Sequence, residues 1–240
     1  MLSKNQIKLI NQLNQKKYRK KRALFIAEGI KTVKEFLSSG YELECLYSCV
    51  DLLFAPDKEV ELISQQALRK ISQLKTPQTV LGIFKIPEIE PLIHPKLTVA
   101  LDGVRDPGNL GTIIRLCDWF GIEQLVCSVD TVDCYNPKTV QATMGSLARV
   151  SVLYTDLPSY LTASDRPVYG TFMQAEPIYK QVLPQEGIIV LGNEGHGISA
   201  SVERCVDHKI AIPQFGKQQL TESLNVAMAT AIVLNEFKRG

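Results

Sequence analysis

Three polar stretches stand directly after apolar runs, and each carries side chains that orient or hydrogen-bond a reacting group. The first, "RDPGNLGTIIR" (Arg105 to Arg115), has Asn109 near a helix start and Arg115 in the second turn, off the buried stripe of Ile113, Ile114, Cys117 and Phe120. The second, "LGNEGHGIS" (Leu191 to Ser199), sets Asn193 and Glu194 among Gly192, Gly195 and Gly197, residues that let a backbone take positive φ or come close to a ligand. The third, "IPQFGKQQLTESLN" (Ile212 to Asn225), brings Ser223 and Asn225 to the start of an alanine-rich helix. Singly, each has a plain structural use: Asn and Ser are common at helix starts, Arg115 reads as a surface arginine, and Glu194 as the cap of a backbone nest. Together they are a signal, because ligands of open α/β sheets bind outside the carboxyl ends of the strands.

Other chemistries are poorly served. No G-x-x-x-x-G-K-[ST] or G-x-G-x-x-G follows a strand, so a phosphate cradle and a dinucleotide site both drop out. A serine hydrolase would need G-x-S-x-G, which is absent; of the three histidines, His94 falls in a proline-rich stretch, His208 precedes a strand, and His196 lies between glycines. Cys45, Cys49, Cys117, Cys127, Cys134 and Cys205 show no paired spacing, which reads as reduced, buried thiols and predicts no metal site.

Those loops need a scaffold. Leu97 onward alternates apolar strands ("LTVALDGV", "QLVCSV", "VSVLY", "PVYGTFM", "GIIVLG", "HKIAI") with helices ("TIIRLCDWFG", "PKTVQATMG", "NVAMATAIVLNEF"), the pattern of a mostly parallel sheet covered on both faces. Ahead of it, a helix carrying Ile7, Ile10 and Leu13, a strand-to-helix unit "ALFIAEGIKTVKEFLSSG", strands "LECLYSC" and "VLGIFKI" and a helical "ISQQALRKIS" make a small α/β unit. The proline-rich "PEIEPLIHP" separates them, giving domains 1–86 and 97–240 around a linker 87–96.

In a chain of 240 residues, 45% hydrophobic and 22% charged, this is ordinary globular composition, with no stretch apolar enough to span a bilayer and no secretory signal; a cytoplasmic protein is expected. A net charge of +2 hides an asymmetry. Lys4, Lys8, Lys16, Lys17, Arg19, Lys20, Lys21 and Arg22 stand in the first 22 residues with no acid; without these eight of the 27 bases, 19 bases face 25 acids, a balance of −6. A solvated helix face accounts for such a run unless something else points to a polyanion.

The loops supply that pointer. In their order and wording they resemble the SpoU-type RNA ribose 2′-O-methyltransferases of the SPOUT superfamily: Asn109, Gly111 and Arg115 match the first motif, Gly192 to Gly197 the second, and Ile212, Pro213 and Ser223 to Val226 the third. "YNPKTVQATMGSLARVSV" is similar to the connecting segment, with Gln141 where the family often has arginine, and "KKYRKKRALFIAEGIKTVKEFL", including Glu28 and Gly29, resembles the substrate-binding domain of the ribosomal-protein L-thirty-e type. The resemblance implies a trefoil knot in the last third, a homodimer, S-adenosyl-L-methionine as cofactor and RNA as substrate, ribosomal before transfer RNA. It implies Asn109, Arg115, Glu194, Ser223 and Asn225 as catalytic and Thr171, Gly192, Asn193, Gly197, Ile212 and Leu224 as cofactor-binding, without membrane or metal. An RNA-binding protein without turnover would not need the intact polar set. A dinucleotide-dependent oxidoreductase would need a glycine fingerprint and a ribose-binding acid, neither of which is evident.

Overall fold

A computed structural model describes residues 2–52, 55, 57–92, 95–216 and 222–239. The chain forms two compact units, one of Met1–Glu88 with Asp133–Arg149, the other of Ile89–Val132 with Val150–Gly240.

The first unit begins with helices α1 (Lys4–Gln12) and α2 (Lys16–Arg22), then strand β1 (Leu24–Glu28), helix α3 (Ile30–Ser38), strands β2 (Leu43–Ser48) and β3 (Glu61–Leu62), helix α4 (Gln65–Ile71) and strand β4 (Val80–Lys85). Ser3 starts α1 with a reciprocal cap: its hydroxyl accepts from the Gln6 N–H while the Gln6 side chain accepts from the Ser3 N–H at 2.8 Å. Ile10 and Leu13 then enter a core with Ile26, Leu68 and Leu81. The strands run in the order β1-β4-β2-β3, with β4 antiparallel to both neighbours and β3 parallel to β2.

The basic run does not act as one surface. Arg19 is 2% exposed: its Nη1 donates to the carbonyls of Leu13 and Asn14, at 2.8 and 2.9 Å, and its Nε and Nη2 donate to Asp133 Oδ2, at 2.9 and 2.5 Å. One arginine thus satisfies carbonyls left open where α1 ends and fixes the corner into α2. Lys17, Lys20, Lys21 and Arg22 remain exposed. Glu28 is also buried, accepting from Ser72 Oγ at 2.6 Å and the Gln73 N–H at 2.7 Å; burial raises its pKa, and the two hydrogen bonds oppose that rise.

The second unit opens with β5 (Leu97–Leu101), α5 (Pro107–Trp119) and β6 (Gln124–Ser128). Residues 133–149, with α6 (Pro137–Thr143), belong to the first unit, where Tyr135 lies 4.7 Å from Phe25 between ring centroids. The second unit is completed by β7 (Ser151–Thr155), α7 (Leu157–Thr162), β8 (Val168–Pro177), β9 (Gly187–Leu191), α8 (Ala200–Glu203), β10 (His208–Ala211) and α9 (Val226–Arg239). Its strand order is β10-β8-β9-β5-β6-β7 and every pairing is parallel, as the apolar runs predict. β5, β6 and β9 are buried along their whole length. The sequence reading missed β3, α7 and α8, short elements with too few residues to show a period.

Strand order decides what the loops can do. Leu101 at the end of β5 pairs with Leu191 at the end of β9, so the first two polar loops leave the sheet side by side. β8, which carries Thr171, pairs with β9 on its other edge, and β10, which leads into Ile212, pairs with β8.

Candidate active site

The glycine turn after β9 is tightly bound. Asn193 and Gly197 exchange both backbone hydrogen bonds at 2.9 Å, Asn193 Oδ1 accepts from the N–H groups of Gly195 (2.8 Å) and His196 (3.2 Å), and its Nδ2 donates to the Gly103 carbonyl at 2.5 Å. A Cβ at Gly192 would lie 2.1 Å from Gly197 C and 2.2 Å from Ile198 N, so only glycine lets the turn fold back on its own strand. Gly197 has φ +69, the left-handed region. Asp102 secures the far side of the turn by accepting from the Ser199 N–H at 2.7 Å. Sequence reasoning passed over Asp102 and Gly103; their signal was an acid and a glycine directly after a buried strand in "TVALDGV".

Beside this turn the three loops join through side chains. Asn225 Nδ2 donates to Asn109 Oδ1, and Asn109 Nδ2 donates to Glu194 Oε1, both at 2.9 Å. The Glu194 carboxylate also faces the N–H groups of Arg105 and Asp106, at 3.4 Å each. The helix cap of α5 is Asp106, whose Oδ1 accepts from the Asn109 N–H at 2.8 Å. The Asn109 side chain is therefore free for the bridge, and the helix-start role open to it from sequence belongs to its neighbour. Asn225 does both jobs: its Oδ1 accepts from the N–H groups of Ala227 (3.0 Å) and Met228 (3.3 Å), as a cap of α9 does. Glu194 likewise meets backbone N–H groups, as a nest cap does, and carries the side-chain bridge as well.

Glu194 also lines a cavity of about 1290 Å³ at the same sheet edge. Thr171, Gly192, Asn193, Gly197, Ile212 and Leu224, the six residues expected to border a cofactor, all line it, as does Ser223. Thr171 Oγ1 is tied to the Val190 carbonyl at 3.2 Å, and the polar atoms of Asn193 are engaged within the turn, so both shape the wall more than they offer free polar groups. Ser223 is exposed and has no hydrogen-bond partner among the described residues. His196 is exposed on the wall, and His208 is exposed and stacked on Tyr169. His94 and residues 217–221 of the third loop lie outside the described residues.

Arg115 does not join the chain of Asn225, Asn109 and Glu194. It is exposed on α5, makes no hydrogen bond or ion pair among the described residues and is not part of the cavity wall. Among the cysteines, Cys117, Cys127 and Cys134 are buried, while Cys45, Cys49 and Cys205 are partly exposed, and no disulfide joins any two of them. Among the described residues no cluster of three His, Cys, Asp or Glu side chains could hold a metal, and no helix is long and apolar enough to cross a membrane.

Among the described residues Glu194, Glu203 and Glu222 line the cavity beside apolar side chains and the close backbone at Gly192, and no lysine or arginine does. Three carboxylates, apolar side chains and close backbone suit a cationic ligand. A parallel sheet with this cavity at its strand ends, rimmed by a fixed carboxamide and carboxylate chain, defines an α/β enzyme that positions one reacting group against another.

The chain belongs to the SpoU rRNA Methylase family, whose model matches residues 96–235; residues 4–82 match the MRM3-like substrate binding domain. It is 33% identical over 245 residues to the 23S rRNA (guanosine(2553)-2′-O)-methyltransferase RlmP of Bacillus subtilis, covering 98% of this chain and 97% of that protein. An rRNA methyltransferase from Sinorhizobium meliloti, solved with AdoMet bound, superposes with a TM-score of 0.88 at 31% identity over 100% of this chain and 96% of that one. The SpoU methyltransferase AviRb from Streptomyces viridochromogenes, in complex with AdoMet, shares the fold with a TM-score of 0.87 at 22% identity, covering 99% and 98% of the two chains. The family expected from the three loops is thus the family found. Residues 133–149 fall within the methylase match although they pack with the first unit.

Proposed function

We propose that the protein transfers a methyl group from S-adenosyl-L-methionine to a ribose 2′-hydroxyl in ribosomal RNA, at the rim where Asn225, Asn109 and Glu194 are hydrogen-bonded in series. That series is the observation that carries the reading: it joins all three motif loops next to a cavity lined by Glu194, Glu203 and Glu222. Ribosomal RNA is favoured over transfer RNA by the names of the relatives, which include RlmP, RlmB of Neisseria meningitidis and the mitochondrial rRNA methyltransferase 3 of Xenopus tropicalis.

When bound, S-adenosylmethionine supplies a methyl group made electrophilic by its sulfonium. Thr171, Gly192, Asn193, Gly197, Ile212 and Leu224 would hold it, chiefly by backbone approach and apolar contact. The 2′-hydroxyl is a weak nucleophile that must be aligned and relieved of its proton. Asn109 and Asn225 set the orientation of Glu194 and of each other, and Ser223, exposed on the wall, offers a hydroxyl to the ribose. Arg115 has no partner among the described residues, the condition for a guanidinium that grips a substrate phosphate.

The first unit, with the exposed lysines of α2, would bind RNA. A homodimer, a trefoil knot in the last third and a cytoplasmic setting go with the same reading. Its test is a map of ribose methylation in ribosomal RNA from cells lacking the protein, rescued by the wild type or by Asn109→Ala. One or more 2′-O-methyl groups should vanish and return only with the wild type; an unchanged map would refute the assignment.

A further inference from the structure

Two aromatic rings stand together at the sheet edge. Tyr179 follows β8 and Phe215 follows β10, and these strands are neighbours with Ala211 opposite Pro177, so both rings leave the same edge. Their planes lie within 25° of parallel at a centroid distance of 6.5 Å, toward the long end of stacked pairs, and the rings stay open to solvent, Phe215 at 84% and Tyr179 at 45% exposure. Phe215 belongs to the cavity wall. An exposed aromatic held at an active-site wall buries nothing in the protein and contributes little to its stability.

We infer that Phe215, flanked by Tyr179, is a stacking platform for a nucleobase of the RNA substrate. A ribose delivered to Asn109, Glu194 and Ser223 brings its base within one nucleotide's reach of the wall. Near the sugar site the residues are hydrogen-bonding, whereas Phe215 offers a flat, accessible, uncharged face. Enzymes that act on RNA away from a regular helix hold unstacked bases on such rings, and the interaction tolerates any base because each has a π face. The adenine of the methyl donor has the same chemistry. Phe215 lies on the cavity wall with its face open to solvent, where a base arriving with the RNA can reach it, and S-adenosylhomocysteine affinity separates the two occupants.

This inference rests on the proposed methyl transfer to ribosomal RNA, so wild-type protein is measured first for donor binding and for methylation of ribosomal RNA from cells lacking the protein. Failure there refutes the function and leaves the platform without a subject. With both present, Phe215→Ala and Phe215→Leu should weaken binding of that RNA about 5- to 150-fold, the equivalent of ~1–3 kcal/mol per stacked base. Phe215→Trp should restore it, and affinity for S-adenosylhomocysteine should stay within about twofold of wild type, well below a tenfold step of 1.4 kcal/mol. Trp119 is the single tryptophan of the chain, so Phe215→Trp in a Trp119→Phe background reports directly: its emission should be quenched by the RNA and not by S-adenosylhomocysteine alone. RNA binding by Phe215→Leu equal to wild type would reduce the ring to an apolar contact and overturn the inference. Loss of S-adenosylhomocysteine affinity with RNA affinity kept would assign the ring to adenine, and a change of solution mass in Phe215→Ala would assign it to a second copy of the chain; either overturns it.

Discussion

Three glycines of one turn should respond to alanine in a fixed order, because the structure holds each for a different reason. At Gly192 the new Cβ would stand 2.1 Å from Gly197 C, 2.2 Å from Ile198 N and 2.5 Å from Gly197 O, all backbone atoms. Normal carbon contacts begin near ~3.5 Å, so the turn must retreat by more than ~1 Å. It is held by the paired Asn193 and Gly197 backbone bonds and by Asn193 to Gly103, so it cannot yield freely. Overpacking of this kind costs about 1–3 kcal/mol, or about 5- to 150-fold in donor affinity when the turn shifts off the cavity, and three backbone clashes put Gly192→Ala at the upper end. Gly197→Ala meets no atom within 4 Å but must adopt φ +69, a strain of roughly 1–2 kcal/mol. Gly195→Ala meets only Asn193 Oδ1 at 3.5 Å, an ordinary contact, and has no positive φ, so it should be the mildest. Calorimetric titration with S-adenosylhomocysteine, with circular dichroism to verify folding, measures the series. Affinity of Gly192→Ala within about threefold of wild type, or a loss at Gly195→Ala larger than at Gly192→Ala, would refute the close-approach argument, since each lies well outside the range that overpacking predicts.

Arg115→Ala should leave donor affinity nearly intact and reduce methyl transfer at least ~100-fold, the scale of a misplaced reacting group, and Arg115→Lys should not rescue it because an ammonium lacks the guanidinium fork. Turnover and calorimetry together decide; equal loss of both would count against a phosphate-orienting role. Changing Lys17, Lys20 and Lys21 to Gln should lower the slope of log affinity against log salt for RNA by about 2, and an unchanged slope returns the run to a solvated face. Substitution is the cleaner test than deletion, because Ile10 and Leu13 of the same segment are core residues. Glu28 has its pKa raised by burial, so the folded protein keeps that proton to higher pH than the unfolded chain. Its stabilising effect is complete below about pH 4.3 and is lost as pH rises through the elevated folded value. Glu28→Gln can still accept from the Gln73 N–H and should flatten stability against pH in that window, read by urea unfolding; a profile identical to wild type would show that Glu28 does not titrate there.

Much of this protein was legible along the chain. Strands such as "GIIVLG" and "QLVCSV" announce burial on both faces, hence a parallel sheet, and the three motif loops mark the carboxyl edge by their glycines, amides and acids. These are local properties, carried by periodicity and turn chemistry within a few residues. Partnership is not local. Asn109 stands 85 residues from Glu194 and 116 from Asn225, and they meet only because β5 lies against β9 and α9 packs on α5. Strand order likewise put Tyr179 beside Phe215, and packing turned Arg19 from one charge in a basic run into the buried bond to Asp133 that holds a corner. Residue types state what a side chain is able to bind; the burial of apolar strands in one order, and not another, selects which groups come within hydrogen-bond reach.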